Sequence, residues 1–155
     1  MLDDTDKRII LELQKDGRTS YNVIAKKLKL SVPTVFRRVQ RLLSEDVISI
    51  TAIPNPYKVG NTSVAAILFN VDLRKIDSIA DKLSAFPEVH MLVLSYGRFD
   101  MLCWVQTTSA ENLYDLIRKL GKIDGIKDME TLIFAQVTKR TYGWLTKSDL
   151  SGQPS

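Results

Sequence analysis

Thr34, Arg37, Arg38 and Arg41 recur at i, i+3, i+4 and i+7, the spacing that gathers side chains on one face of a helix. Three guanidiniums offer donors only, so this face is built for anions, and arginine pairs bidentately with phosphate oxygens or with guanine. Around it, the window Gly17–Ser44 holds seven basic residues and no acid. Such a block is an electrostatic footprint for phosphates, because each neutralised phosphate releases condensed counterions. Thr34 and Arg38 are candidates for base edges. Arg37 and Arg41 suit phosphates, with Ser31, Thr19, Ser20 and Tyr21 as further backbone contacts.

Catalytic chemistry is not signalled. His90, the only histidine, falls in an apolar run where a core or interface imidazole is the ordinary role. Cys103, the only cysteine, also lies in an apolar run and reads as a small buried hydrophobe. A single cysteine excludes an intrachain disulfide and a cysteine-based zinc cluster. No serine or cysteine has a base partner signalled nearby, and no glycine-rich phosphate loop or metal-ligand cluster occurs. The expectation is a protein with no catalytic residue, no metal and no cofactor.

The basic face needs a helix, and local signals supply one over Ser31–Ser44. Ser31 caps it, Pro33 fits its first turn, and Val35, Val39 and Leu42 line the opposite side. Asp4–Gln14 predicts an earlier helix, with Ile9, Ile10 and Leu13 on one stripe and Gly17 as a stop. Ser20 caps a second, in which Val23, Ile24 and Leu28 are apolar and Ala25 permits close approach. Only Lys29–Leu30 separates this helix from the basic one. Three short helices so spaced make a helix-turn-helix, whose last member enters a major groove. Val47–Ile53 is β-branched and predicts a strand against this unit.

Pro54, Asn55, Pro56 and Gly60 then interrupt the chain, and the charge changes at the same place. Residues 1–60 carry the whole net charge of +4, while residues 61–155 are neutral. The organisation read from these signals is a DNA-binding domain over 1–53, a linker over 54–61 and a second domain over 62–150. With 155 residues, 45% of them hydrophobic and 26% charged, the chain suits two small globular domains. No apolar run reaches the roughly 18 residues of a membrane helix, and the opening MLDDTDKR is acidic, so the expected location is the cytoplasm, with no membrane partner.

The second domain runs through one pattern twice. Strands are predicted over Thr62–Val71, Val89–Tyr96, Phe99–Thr107 and Ile126–Thr138, and helices over Arg74–Phe86 and Ser109–Leu120. Thr108 with Glu111 suggests a capping box for the latter helix. The order βαββαβ folds as a ferredoxin-like α+β domain with both helices on one face of a four-stranded antiparallel sheet. Its strands are apolar on both faces, as Val64, Ala66 and Leu68 alternate with Ala65, Ile67 and Phe69. Something must cover the second face, and a second copy, packed sheet to sheet about a two-fold axis, is the economical answer. Tyr142–Leu145 would add a final edge segment.

These residues resemble a known family. Arg18-Thr19-Ser20-Tyr21, Ile24-Ala25-Lys26-Lys27-Leu28, Leu30-Ser31, Thr34-Val35, Arg37-Arg38-Val39 through Leu42-Leu43, and Val47-Ile48 look like the DNA-binding domain of Lrp/AsnC transcription regulators. Gly97-Arg98-Phe99-Asp100 matches that family's G-x-x-D turn, and Glu130-Thr131-Leu132-Ile133 its last strand. The resemblance implies a winged helix-turn-helix domain followed by the family's ligand-binding domain, forming a homodimer that often assembles to an octamer and senses an amino acid. Its effector positions fall at Tyr96, Gly97, Arg98, Phe99 and Asp100, with Met129, Thr131 and Gln136 supplied by a neighbouring subunit. Lys127 stands where some amino-acid-binding members carry a neutral amide. An α-amino acid needs an acceptor such as Asp100 for its ammonium, and donors such as Arg98 for its carboxylate.

The reading is therefore a sequence-specific DNA-binding transcriptional regulator that takes an amino-acid effector. An architectural DNA-binding protein without an effector is the alternative, and would show shallow sequence preference and no ligand response. A sirohaem decarboxylase on the same architecture ranks below both, since it would need histidines that this chain lacks. An RNA-recognition motif shares the βαββαβ order, but Val89–Tyr96 lacks its base-stacking aromatics and the domain is neutral.

Overall fold

The computed structural model describes residues 2–60, 62–139, 141 and 143–150. The chain divides after Ile53: Pro54–Thr138 forms one unit, and the residues from Lys139 onward group with the first. The first unit has three helices, α1 (Asp4–Lys15), α2 (Tyr21–Leu28) and α3 (Val32–Ser44). Asp3 caps α1 in a reciprocal box with Asp6, and Ser20 and Ser31 cap α2 and α3 through their side-chain oxygens. Ile9, Leu13, Ile24, Ala25, Val35 and Val39 form the shared core, with Leu28, Leu30 and Ile48 against it. The turn between α2 and α3 is tight because Lys29 adopts a left-handed conformation, φ 56°, and the Leu30 amide donates to the Ala25 carbonyl at 2.9 Å.

Two features of this unit differ from the sequence expectation. Val47–Ile53 forms no strand, since the unit supplies no second strand to pair with; Ile48 packs on the core while Val47, Ile50 and Ile53 stay exposed. Among the described residues, 143–150 make no sheet edge and group with the helices. Gln14 donates to the Leu145 carbonyl at 2.9 Å and accepts from its amide at 3.2 Å, and Lys7 Nζ donates to the Asp149 carbonyl at 2.7 Å. Tyr142, the start of the expected edge segment, lies outside the described residues.

The second unit is an α+β domain with the order β1 (Ser63–Val71), α4 (Ile76–Ser84), β2 (Val89–Leu94), β3 (Met101–Thr107), α5 (Ala110–Leu120) and β4 (Ile126–Ile133). All strand pairs are antiparallel in the order β2-β3-β1-β4, the ferredoxin-like arrangement. Ala65, Ile67, Phe69 and Val71 share one sheet face with Met101, Cys103 and Val105, and both helices cover it through Ile79, Leu83, Leu113, Leu116 and Leu120. Burial pushes the Cys103 thiol up to about 12, which leaves it an inert hydrophobe. Gly125 enters β4 at φ 99°, where an added Cβ would lie 2.8 Å from Ile79 Cδ1.

Element ends moved for local reasons. The helix predicted from Arg74 starts as a single 3₁₀ turn, Leu73–Lys75, capped by Asp72. Ser109, not Thr108, caps α5; Thr108 instead accepts from the Asn112 side chain at 2.7 Å. His90 lies exposed on the outer strand β2, at the irregular step between Val89 and Met91, and not in a core.

Candidate functional site

The core edge of α3 is Val35, Val39 and Leu42, all fully buried. At 3.6 residues per turn the side opposite this edge is centred on Arg37, with Pro33, Gln40, Arg41 and Ser44 beside it and Phe36 at its margin. Phe36 is 52% exposed, its ring edge-on to Tyr21 with centroids 5.9 Å apart. Arg37 is exposed and forms no ion pair among the described residues. Sequence periodicity found the basic residues but missed Phe36 and Gln40, because it weighed charge and not position relative to the core.

Arg38 is placed differently. It borders the buried edge, and its Nη1 donates to Asp3 Oδ2 and Asp6 Oδ1, both at 2.7 Å. The Asp6 carboxylate is 1% exposed and also accepts from Arg41 Nη2 at 2.5 Å. Hydrogen bonds from the Asp6 amide and Arg38 hold the Asp3 carboxyl below the usual carboxylate range, and Asp3 and Asp6 in turn raise Arg38. Arg38 Nε is buried without a hydrogen-bond partner. The guanidinium is thus bound within the fold, where it ties α3 to α1. Arg41 is shared: Asp6 holds one edge while the side chain stays 42% exposed.

The remaining candidates surround the two helix starts. Thr19 Oγ1 donates to the Asp16 carbonyl at 2.8 Å, Ser20 Oγ accepts from the Val23 amide at 3.4 Å, and the Ser31 and Thr34 hydroxyls bond each other at 2.7 Å. These polar side chains therefore set the helix starts whose free amides suit phosphate. Exposed Lys26 and Lys29 add positive charge there, while Lys27 is tied to Glu12 at 2.7 Å.

In the second unit, Leu68, Met91, Val93 and Leu102 lie on the sheet face away from the helices, and with Ser95 and Tyr96–Phe99 they line a concavity of about 460 Å³. The turn over it is closed by Ser95, whose hydroxyl donates to the Phe99 carbonyl at 2.7 Å and whose amide donates to the Asp100 carbonyl at 2.9 Å. Gly97 takes φ 151° and Tyr96 is fully exposed. Arg98 stacks on Phe99, 4.9 Å from its centroid, and its Nη2 lies 3.5 Å from Glu130 Oε2.

Four expected effector residues are not part of this concavity. Asp100 faces the end of β1, where Oδ2 accepts from the Val71 amide at 2.9 Å and its own amide donates to the Phe69 carbonyl at 2.9 Å. That is a joint of the sheet. Met129 packs on the helix-covered core, Thr131 pairs with Ile67 on β1, and Gln136 lies beyond β4. The apolar second face was legible in the strands, but the place of Glu130 beside Arg98 was missed; the alternation of β4 could have put Glu130 on the open face.

Residues 2–49 match the winged helix-turn-helix DNA-binding family, and residues 64–144 match the Lrp/AsnC ligand binding domain. The chain is 41% identical over 144 residues to an HTH-type transcriptional regulator of Pyrococcus furiosus, covering 92% of this chain and 97% of that one. Among solved structures it is similar to AsnC of Escherichia coli, with a TM-score of 0.82 and 26% identity, covering 92% of this chain and 97% of the other. A transcriptional regulator from Neisseria meningitidis, solved as a complex with L-Met, shares the fold at a TM-score of 0.83 and 22% identity, over 91% of this chain and 94% of that one.

Proposed function

The chain belongs to the Lrp/AsnC family of DNA-binding transcriptional regulators, and from that premise we propose that it is a homodimer responding to an amino acid bound under the Tyr96–Phe99 turn. The observation that carries this reading is the concavity itself. Its floor is apolar, Arg98 lines it with the Glu130 carboxylate 3.5 Å from that guanidinium, and it opens on a sheet face that the fold leaves uncovered. Met91, Val93 and Leu132 on that face are 40–47% exposed, which a second copy would bury. Arg98 takes the ligand carboxylate and Glu130 its ammonium, since Asp100 Oδ2 already accepts from the Val71 amide. Met129, Thr131 and Gln136 would serve such a site only from another copy. A fold relative bound to L-Met supports the ligand class.

On DNA, Arg37 presents the paired donors that suit guanine, Gln40 the donor and acceptor that suit adenine, and Arg41, Lys26 and Lys29 suit phosphates. In a two-fold dimer the paired α3 helices address half-sites one helical turn, or a multiple, apart.

A thermal-shift screen against the twenty amino acids tests the effector. A ligand that binds only the folded protein stabilises it by about 2.7 kcal/mol at a hundredfold excess over Kd, and the response must disappear in Arg98→Ala. No shift with any amino acid would favour the architectural alternative.

A further inference from the structure

We infer that Phe36 is a specificity-determining residue that reads the C5-methyl of a thymine in the major groove; this rests on α3 being the recognition helix. Three observations meet at this side chain. Phe36 leaves 52% of its surface to solvent and is the most exposed large apolar side chain of α3, whose Val35, Val39 and Leu42 are fully buried and whose Val32 is 39% exposed. Its ring is held, since Tyr21 meets it edge-on at 5.9 Å and an interplanar angle of 66°. Its neighbours Arg37 and Gln40 are exposed and polar, within a stretch from Gly17 to Ser44 that contains no acid.

A half-exposed ring is not required by the core of this unit, which closes without it. Its surroundings favour one partner over others. An apolar protein surface would have to bury Arg37 and Gln40 along with the ring, unpaired, whereas a duplex supplies phosphates and base-edge acceptors for both. Within the major groove the thymine methyl is the apolar group that a phenyl ring can contact, and the other base edges present donors and acceptors. The pre-set ring orientation means that little rotamer freedom is lost on contact. Gln40, one turn on, stands about 6 Å further along the axis, close to two base-pair steps. Phe36 and Gln40 therefore read different base pairs.

The experiment begins with full-length protein and an operator that it selects from random-sequence duplexes. Each thymine is then replaced by deoxyuridine, which removes only the methyl group. One buried methyl is worth a factor of about four in affinity, so one position per half-site should lose about fourfold in the wild type. Phe36→Ala should bind the thymine and uracil operators equally, while its affinity for an unrelated duplex and its far-UV circular dichroism stay at wild-type values. The inference is overturned if the wild type is indifferent to every uracil, or if Phe36→Ala discriminates as the wild type does. Failure of the wild type to select any sequence would instead overturn the recognition-helix reading itself. The wild-type uracil scan needs no variant, so a folding defect in Phe36→Ala would leave the inference testable.

Discussion

Asp6→Ala probes the joint between α1 and α3. The carboxylate is 1% exposed, and it accepts from Arg38 at 2.7 Å, from Arg41 at 2.5 Å and from the Asp3 amide at 3.2 Å. Removing one member of a fully buried ion pair costs about 3–5 kcal/mol, because the remaining charge is left unsolvated. Here neither guanidinium is fully stranded. Arg38 keeps Asp3 at 2.7 Å, and Arg41, 42% exposed, can turn to water. The loss should therefore fall below that range, at about 2 kcal/mol, with the weakened N-terminal box included. Amide hydrogen exchange in α1 and α3 reads this directly, since about 2 kcal/mol corresponds to exchange roughly thirtyfold faster in the most protected amides. Exchange in β1 and β3 reports on the second unit and should not change. The companion variant Asp6→Leu/Arg38→Met removes both charges and should recover most of the stability, as apolar replacements of buried pairs do. If Asp6→Ala exchanges like the wild type, the network contributes nothing and its arginines are free for DNA.

Arg37→Ala should weaken binding to a selected operator by about 1–3 kcal/mol and binding to random duplex far less, measured by fluorescence anisotropy at fixed salt; equal losses would remove its base-reading role. Lys29→Gly should raise the melting temperature, since a non-glycine residue in the left-handed region costs about 1–2 kcal/mol, partly offset by glycine's greater unfolded-state freedom. Phe69→Ala, at a fully buried site between β3 and β4, should destabilise the second unit by about 3–5 kcal/mol in urea titration. Acidification should leave stability level until carboxylates begin to protonate. Hydrogen bonds from Arg74 hold Asp72 at about 2 against a usual 3.8, so its contribution is present above 3.8 and lost as pH falls towards 2. Glu12, Asp3 and Asp124 are lowered too and act in the same direction, so a melting temperature that rises below pH 4 would contradict all four.

The starts of α2 and α3 were legible because each is set by one side chain acting locally. Ser20 and Ser31 cap where their identity said they would, whereas the box by which Asp3 closes α1 through Asp6 came only with the structure. The order of strands was legible because βαββαβ with antiparallel neighbours admits few alternatives. What escaped the sequence depends on residues far apart in the chain. Nothing near Arg38 announces that acids 32 and 35 positions earlier will take its guanidinium. Asp100 likewise reads as a turn acid until the end of β1 is laid beside it, 29 residues back in the chain. The strand expected over Val47–Ile53 failed for the converse reason, since β-branched residues fit a ladder only when a partner strand exists.

The ion pairs of Arg38 and Arg41 change what α3 offers to DNA on the proposed reading. A face of four free donors would bind phosphate wherever it met it, with affinity and little selectivity. With Arg38 bound to Asp3 and Asp6, and Arg41 held on one edge, the charge left fully available on the outer face of α3 is Arg37, beside Phe36 and Gln40. The acids of α1 thus do two things at once. They fix the helix against its core, and they withhold from the groove donors that carry no sequence information when spent on phosphate. On the proposed reading, selectivity rests on Phe36, Arg37 and Gln40, and Asp6→Ala should raise affinity for random duplex as Arg41 is released, even while it loosens the fold that aims them.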